Sequence, residues 1–217
     1  MQVERLIKKC AICGKEENYL ELVSNYINGS PDLDLKENGS MASPGSEIQM
    51  CPSCGYCNYD IEKHIQNRFG YVDKPLELWQ QYEAVQKIIN SDFSPALKKY
   101  LIMAEQFGGN LQKEKQYNML LRASWVAETK EQNVEIKKEA ISIFLDDILP
   151  NIRTKLFQFA DISRQCGYFE PAEEFVKAGE LLIDEDFEDA QTLTKVASFE
   201  KQLIKQQDTN PHNMSEI

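Results

Sequence analysis

The sequence predicts a mainly α-helical protein in which a small cysteine-bearing hairpin module precedes an array of antiparallel helices. Two Cys-x-x-Cys-Gly motifs, CAICG at 10–14 and CPSCG at 51–55, occur in a first segment rich in Gly, Ser, Asn and Pro. From about residue 74 onward, apolar residues recur at spacings of three and four, the period of an α-helix. Clusters of helix-breaking residues then divide that region into separate helices.

Composition restricts the classes of protein to which this chain can belong. At 217 residues it can bury a real core, and its 42% apolar and 27% charged content is ordinary for a globular protein. No apolar run reaches the roughly 18 residues of a membrane span, and the first residues lack the apolar core of a secretory signal. We therefore expect a cytoplasmic protein whose six cysteines are reduced.

The chain is strongly acidic, with a net charge of −11 from 24 basic and 35 acidic residues. A field of that sign repels nucleic-acid phosphates and anionic membranes, so we expect neither to be the main partner. Basic residues nevertheless surround the first cysteine pair, and these are Arg5, Lys8, Lys9 and Lys15. We interpret the opposite feature, the acidic run DEDFED at 184–189, as a solvated loop and first helical turn.

We predict three regions: a ribbon module at 1–72, a helical domain at 73–207 and a flexible tail at 208–217. Serine is a good N-cap and proline suits the first helical position, so Ser94 and Pro95 mark the start of the second helix. Gly108 and Gly109 end that helix, and Pro150 and Gly167 are the stop signals of the fourth and fifth helices. The helices are predicted at about 76–89, 94–107, 113–129, 134–149, 152–166, from 171, and at 187–206.

Small residues in the helical domain resemble the pattern of a tetratricopeptide repeat, which uses them where paired helices approach closely. In LFQFADISRQCGYFEPAEEFVKAGELL at 156–182, the small sites are Ala160, Ala172 and Gly179. Ala123 and Ala140 take comparable positions upstream, but the turn ETKEQNVE makes that unit irregular against the usual period of about 34 residues. We predict a tetratricopeptide-like array, with a generic antiparallel bundle as the alternative.

The two Cys-x-x-Cys-Gly motifs predict a metal site. Two thiolates three residues apart converge on one ion when the chain folds into a tight knuckle, and the following glycine permits the positive φ of that turn. Two knuckles supply four sulfurs, the coordination that a structural zinc prefers. The predicted ligands are Cys10, Cys13, Cys51 and Cys54. Iron bound by the same four thiolates is the alternative, because the sequence does not distinguish the two metals.

Redox and catalytic interpretations of these cysteines fit less well. A thioredoxin-type pair lies at a helix N-terminus after a strand, and neither motif has that flank. A catalytic zinc keeps an open position and usually has a His or carboxylate ligand. The chain has two histidines, His64 in a predicted short helix at 60–69 and His212 in the tail. We predict no catalytic residue. We interpret His64 as a surface or packing residue, and the alternative is that it is an outer-shell partner of the metal or a ligand in place of a cysteine.

Two cysteines lie outside the predicted site. Cys57 follows the second motif closely, but CNYD at 57–60 lacks the knuckle glycine. We therefore expect Cys57 to pack as a small buried residue beneath the ribbon. Cys166, at the end of a predicted helix, is interpreted in the same way.

The segment between the two motifs is unusually long. Thirty-seven residues separate Cys13 from Cys51, whereas a compact zinc ribbon has roughly 15–20. The excess at 28–46 is dense in Gly, Ser, Pro and Asn, so we interpret it as an exposed, tolerated insertion. The alternative is a recognition loop that presents Asp32 and Asp34, since loops on a rigid base often carry binding residues.

Several features together resemble a bacterial family of unknown function. They are the N-terminal CAICG, the later CPSCGY, and a helical half with LRASW and GYFEPAEEF. Members of that family combine a zinc ribbon with tetratricopeptide-like helices. The resemblance spans most of the chain. It implies a cytoplasmic bacterial setting and the four motif cysteines as ligands, and it implies no activity.

We expect a non-enzymatic zinc-binding protein whose helices offer a groove or face to a protein partner. The residues do not identify that partner or the oligomeric state. One alternative is a nucleic-acid or transcription-associated zinc ribbon that uses the basic group, although the acidity of the chain argues against it. The other alternative is a metalloenzyme or redox enzyme.

Overall fold

The computed structural model describes residues 2–40, 42–66, 83–147, 152–184 and 188–217. These ranges contain strands β1 (Gln2–Lys9), β2 (Glu16–Ser24), β3 (Gln49–Met50) and β4 (Cys57–Asn58), and helices α1 (Glu83–Ile89), α2 (Pro95–Gly109), α3 (Lys113–Trp125), α4 (Lys130–Asp147), α5 (Ile152–Gln165), α6 (Phe169–Glu180) and α7 (Ala190–Gln206). The prediction of a mainly helical chain with a small N-terminal hairpin is confirmed. The predicted start of the first helix, the end of the fourth and the start of the last lie outside the described residues.

The chain divides into two compact units. Unit 1 comprises Met1–Tyr26 and Met41–Ile136, and unit 2 comprises Ile27–Ser40 and Lys137–Ile217. The division falls within α4, whereas the predicted boundary at 72/73 lies outside the described residues. Among those residues, no helix has the length and apolar character that crossing a membrane requires.

Each cysteine motif forms the turn of a two-stranded antiparallel ladder in unit 1. Strands β1 and β2 pair from Lys9 opposite Glu16 outward along the hairpin. Strands β3 and β4 flank the second motif in the same way, with Met50 opposite Cys57. The hairpins thus place both cysteine pairs at strand ends.

Helix α2 begins as its sequence predicts and packs in unit 1. The Ser94 side chain accepts a hydrogen bond from the Leu97 amide at 3.4 Å, and Pro95 occupies the first turn. The helix buries an apolar face that includes Leu97, Met103 and Phe107. One polar residue, Gln106, lies buried on that same face.

In unit 2, α5 and α6 form a closely packed helix pair. Gly167, with φ of 79°, makes the turn between them, a conformation that a residue with a Cβ rarely adopts. A Cβ added at Gly179 would lie 2.7 Å from the Phe157 ring, so the helices approach closely there. Ala160 and Ala172 are fully buried. These contacts confirm the helix pair and are compatible with either a repeat or a bundle.

Residues 27–40, which we call the strap, form part of unit 2. Leu33 is buried in a cluster with Phe157, Val176 and Leu193. The recognition-loop alternative fits poorly, because the two aspartates of the strap have structural partners. Asp34 is buried against Lys137 at 3.2 Å, and Asp32 accepts a hydrogen bond from Asn38 at 2.7 Å.

The C-terminal segment at 208–217, expected to be a flexible tail, contacts the strap. The Leu33 amide donates to the His212 carbonyl at 2.9 Å, and the Met214 amide donates to the Pro31 carbonyl at 2.8 Å. Asn213 caps a short 3-10 helix at Met214–Glu216. The segment therefore has backbone partners far away in sequence, which its own composition does not indicate.

A network of buried charged residues also binds the C-terminal segment. Arg164 on α5 is fully buried and donates to Asp161, to Glu200 at 3.1 Å, and to the carbonyls of Asp208 and Asn210 at 2.6 and 2.9 Å. The network contains three carboxylates and two cations, and its members are Asp34, Asp161, Glu200, Lys137 and Arg164. One bound proton would make it neutral, which burial strongly favours.

We expect the free energy of unfolding to fall as pH rises toward 8, because Glu200 holds this proton in the folded protein. Burial, and then the nearby Asp161 charge, raise the pKa of Glu200 to about 8. The folded state therefore binds more protons than the unfolded state above the ordinary glutamate pKa. The contribution of protonated Glu200 to the free energy of unfolding is complete below the ordinary glutamate pKa. It then decreases by up to about 1.4 kcal/mol per pH unit as pH rises to about 8.

Glu200→Gln should flatten this slope in urea unfolding between pH 5 and pH 8.5, since glutamine stays neutral throughout. Glu180→Gln is the matched control, because Glu180 forms a partly exposed pair with Lys201. The control should keep the wild-type slope. An unchanged slope in Glu200→Gln would show that Glu200 does not hold the proton.

Candidate metal centre

The two cysteine motifs fold into the same turn. In the first, the Gly14 amide donates to the Cys10 carbonyl at 2.9 Å and the Cys10 amide donates to the Lys15 carbonyl at 2.9 Å. In the second, the Gly55 amide donates to the Cys51 carbonyl at 2.9 Å, and the Cys51 amide donates to the Tyr56 carbonyl at 2.8 Å. The glycines have φ of 71° and 74°, the left-handed conformation that the motif predicts.

The four predicted ligand residues come together, with all four sulfurs within 4.8 Å of one another. The Sγ–Sγ distance is 3.8 Å between Cys10 and Cys54, and 3.7 Å between Cys13 and Cys51. A tetrahedral zinc with Zn–S bonds of about 2.3 Å places its sulfurs about 3.8 Å apart. The cysteines are free thiols, and these distances are far longer than a disulfide bond of about 2.0 Å. The cluster therefore has metal-binding geometry.

Hydrogen bonds and burial shape the protonation of the cluster. Burial opposes ionisation of Cys51, but the amides of Ser53 and Cys54, and then the Tyr19 hydroxyl, favour the thiolate and bring its pKa down to about 7. Burial and neighbouring thiolates raise the pKa of Cys54 instead. Burial also raises the pKa of Cys10. Four thiolates therefore need a compensating cation, and a bound divalent metal supplies it.

Apolar residues enclose most of the cluster. Cys10, Cys51 and Cys54 are buried, and Cys13 is half-buried. They pack in one cluster with Tyr19, Tyr56 and Ile61. The Ile61 carbonyl accepts a hydrogen bond from the Ala11 amide at 2.9 Å, which joins the segment after β4 to the first knuckle. If a metal is bound here, four sulfurs complete its coordination, as in structural sites.

Cys57 is fully buried and lies outside the four-sulfur cluster. Its thiol faces the Gly55 carbonyl at 3.6 Å, and burial raises the pKa of that thiol. Its backbone is held by a residue that sequence analysis missed. The Gln106 side chain accepts from the Cys57 amide at 3.2 Å and donates to the Cys57 carbonyl at 2.6 Å, so it completes the edge of β4. The sequence pattern that could have indicated this role is a single amide side chain, Gln106, on the otherwise apolar face of α2.

Cys57→Ser is expected to keep metal stoichiometry near one per chain while lowering stability by about 1–3 kcal/mol, because a buried hydroxyl replaces a well-packed thiol. Metal analysis of the purified variant, with urea unfolding, measures both effects. Cys166→Ser is the control, since Cys166 is half-buried and in unit 2. Loss of metal from Cys57→Ser alone would place Cys57 among the ligands.

The predicted short helix around His64 is absent over 60–66, and 67–69 lie outside the described residues. Tertiary contacts engage the backbone groups that a helix would use. The Lys63 carbonyl accepts from the Tyr56 hydroxyl and from the Asn58 side chain, each at 2.7 Å. The Ile65 amide donates to the Tyr56 hydroxyl at 3.0 Å. His64 itself is exposed and is not a member of the sulfur cluster.

Two further residues that the sequence singled out, His212 and Lys8, have partners outside the cysteine cluster. His212 lies in unit 2, with its ring nitrogens 2.9 Å from Glu216 and 3.2 Å from Asp208. Lys8, one of the basic residues around the first motif, is buried and forms ion pairs with Glu21 and Asp60. Its ammonium is therefore used inside the protein, which weakens the basic group as a phosphate-binding surface.

Comparisons of the chain with protein-family models, with curated proteins and with solved structures found no match in any of the three. The resemblance to the bacterial family therefore remains a hypothesis, and the four-sulfur cluster carries the functional argument.

Proposed function

We propose that this protein is a non-enzymatic adaptor in which a structural zinc organises the N-terminal module and a protein surface binds a partner. The observation that supports this most directly is the cluster of four cysteine sulfurs at tetrahedral spacing. Four protein ligands fill a tetrahedral zinc and leave no position for a substrate or an activated water. Such a site stabilises a fold instead of carrying out a reaction.

Metal analysis tests the zinc part of the proposal. The purified chain should contain one zinc per molecule and should be colourless, whereas iron in a four-thiolate cage gives a red protein. A chelator competition would report the affinity, with Cys10→Ser as the ligand variant and Cys166→Ser as the control. A red, iron-containing protein would overturn the choice of zinc, and a metal-free protein would overturn the site.

We also propose that the helices of unit 2 form a tetratricopeptide-like surface for the partner. Two exposed residues at the C-terminal end of α6 support this, since Leu181 is 87% and Leu182 43% exposed. Adjacent exposed leucines are candidates for burial by another protein. The close approach of α5 and α6 at Gly179 is also what the repeat pattern requires.

Crosslinking and mass spectrometry of tagged protein in its native extract, followed by reconstitution with the purified partner, would test this surface. Leu181→Glu should weaken the reconstituted complex without changing metal content, because it places a charge in an apolar contact. A complex unaffected by Leu181→Glu would show that the partner does not bind at this end of α6.

A further inference from the structure

The outward face of the β1–β2 hairpin is more apolar than its inward face. Residues opposite each other in the pairing share a face, so Val3, Ile7 and Leu20 all lie on one side. These side chains are 43%, 72% and 54% exposed. The other face carries Lys8 and Glu21, which form an ion pair, together with Leu6 and the buried Tyr19. The first face thus exposes three large apolar side chains, although a two-stranded sheet usually exposes its polar side to water.

Strand β1 also has an open edge. The Cys10 amide bonds across the hairpin to Lys15, whereas the Lys9 amide points away from β2, to Glu62 at 3.3 Å. Because outward and inward backbone groups alternate along a strand, the amides and carbonyls of Arg5 and Ile7 point outward as Lys9 does. Within the part of the chain that the structure describes, β1 pairs only with β2. An exposed edge of this kind is a template for another strand.

The side chains along this edge define what would fit it. On the apolar face, β1 presents Val3, Arg5, Ile7 and Lys9, so apolar and cationic residues alternate. Directly opposite residues in neighbouring strands interact best when apolar meets apolar and cation meets anion. The complement is an extended segment with alternating apolar and acidic residues on one face. A second copy of this edge would instead bring its own cations, on a chain that is repelled by its charge of −11.

We propose that the outer edge of β1 binds an extended segment of a partner protein as an added strand, with an acidic residue opposite Arg5 and apolar residues opposite Val3 and Ile7, next to the position where Glu62 already holds the Lys9 amide. Backbone hydrogen bonds to Arg5 and Ile7 would give affinity, and the alternating side chains would give specificity. The inference rests on the proposed adaptor function, and it assigns the partner contact to the hairpin in addition to the helices.

The test uses two synthetic probes of about eight residues, the length of β1. In the first, Leu and Glu alternate on one face and Thr occupies the other. The second has Lys in place of Glu. Fluorescence anisotropy with the full chain should show that the Glu probe binds about tenfold more tightly than the Lys probe. This preference should weaken as salt is added, because the charges lie at the surface.

Two variants change the edge in different ways. Ile7→Pro removes an outward amide that the hairpin ladder does not use, so it should abolish probe binding and leave the hairpin paired. Arg5→Glu keeps the backbone and should weaken the Glu probe by about tenfold while improving the Lys probe. Leu111→Ser is the control, because it removes an apolar side chain that is 52% exposed and lies between α2 and α3, outside the hairpin, so probe binding should be unchanged.

Equal binding of the two probes, or unchanged binding in both edge variants, would overturn the inference. A wild-type dimer that becomes a monomer in Ile7→Pro would assign the edge to a second copy and overturn it as well. Metal content is measured on the same samples. Normal zinc with no probe binding rejects only this inference, whereas absence of metal rejects the proposed function itself.

Discussion

Cys51→Ser is expected to abolish stoichiometric metal binding and to unfold the N-terminal hairpin module. A serine hydroxyl is a poor zinc ligand, and the three remaining cysteines cannot complete a tetrahedral coordination sphere. Structural zinc contributes roughly 10–16 kcal/mol of apparent binding energy in small zinc domains. Few other residues hold the hairpin, because Lys8 is the only buried residue of β1 and Tyr19 the only buried residue of β2. Metal analysis and hydrogen exchange of the β1 and β2 amides measure the two effects.

The control for this experiment is the wild-type chain after the metal is removed with a chelator. Because the damage acts through the metal, Cys51→Ser should be much less stable than the metal-bound wild type and about as stable as the stripped wild type. A Cys51→Ser protein that is also much less stable than the stripped wild type would mean that Cys51 contributes through packing. Unchanged metal content in Cys51→Ser would overturn the ligand assignment.

Arg164→Met is expected to lower the free energy of unfolding by about 3–5 kcal/mol, the usual effect of removing one partner from a buried charge network. The guanidinium is fully buried. Its loss leaves the carboxyls of Asp161 and Glu200 without their cation and two tail carbonyls without a donor. Urea unfolding measures the loss, and hydrogen exchange should rise in the strap and in the segment after α7.

Arg122→Met is the matched control for Arg164→Met. Arg122 forms an ion pair with Glu47 at 3.0 Å, but its side chain is 38% exposed. Partly exposed pairs contribute at most about 1 kcal/mol, so this variant should be nearly neutral. Arg164→Lys should lie between the two, because lysine keeps the charge and loses the planar fork. Equal effects of Arg122→Met and Arg164→Met would show that burial does not set the energy of the network.

The sequence was sufficient to predict those structural elements whose conformation depends only on neighbouring residues. Each cysteine knuckle needs only its own few residues and a glycine at positive φ, so the motif predicted both turns. Pairing the two knuckles required only that one metal take four sulfurs. The start of α2 was equally local, because Ser94 and Pro95 act within one helical turn. The helix predicted around His64 failed for the opposite reason, since Tyr56 and Asn58 compete for its backbone.

The sequence by itself determined the two knuckles, the set of four cysteines and the helical character of the rest. Only the tertiary structure decided that the strap and the C-terminal segment belong to unit 2, and that Asp34 and Lys137 form a buried pair across 103 residues of sequence. It also decided that Val3, Ile7 and Leu20 of the hairpin are exposed. Knuckles and helices arise from contacts within a few residues, whereas burial depends on which distant segments meet, and no local pattern records that.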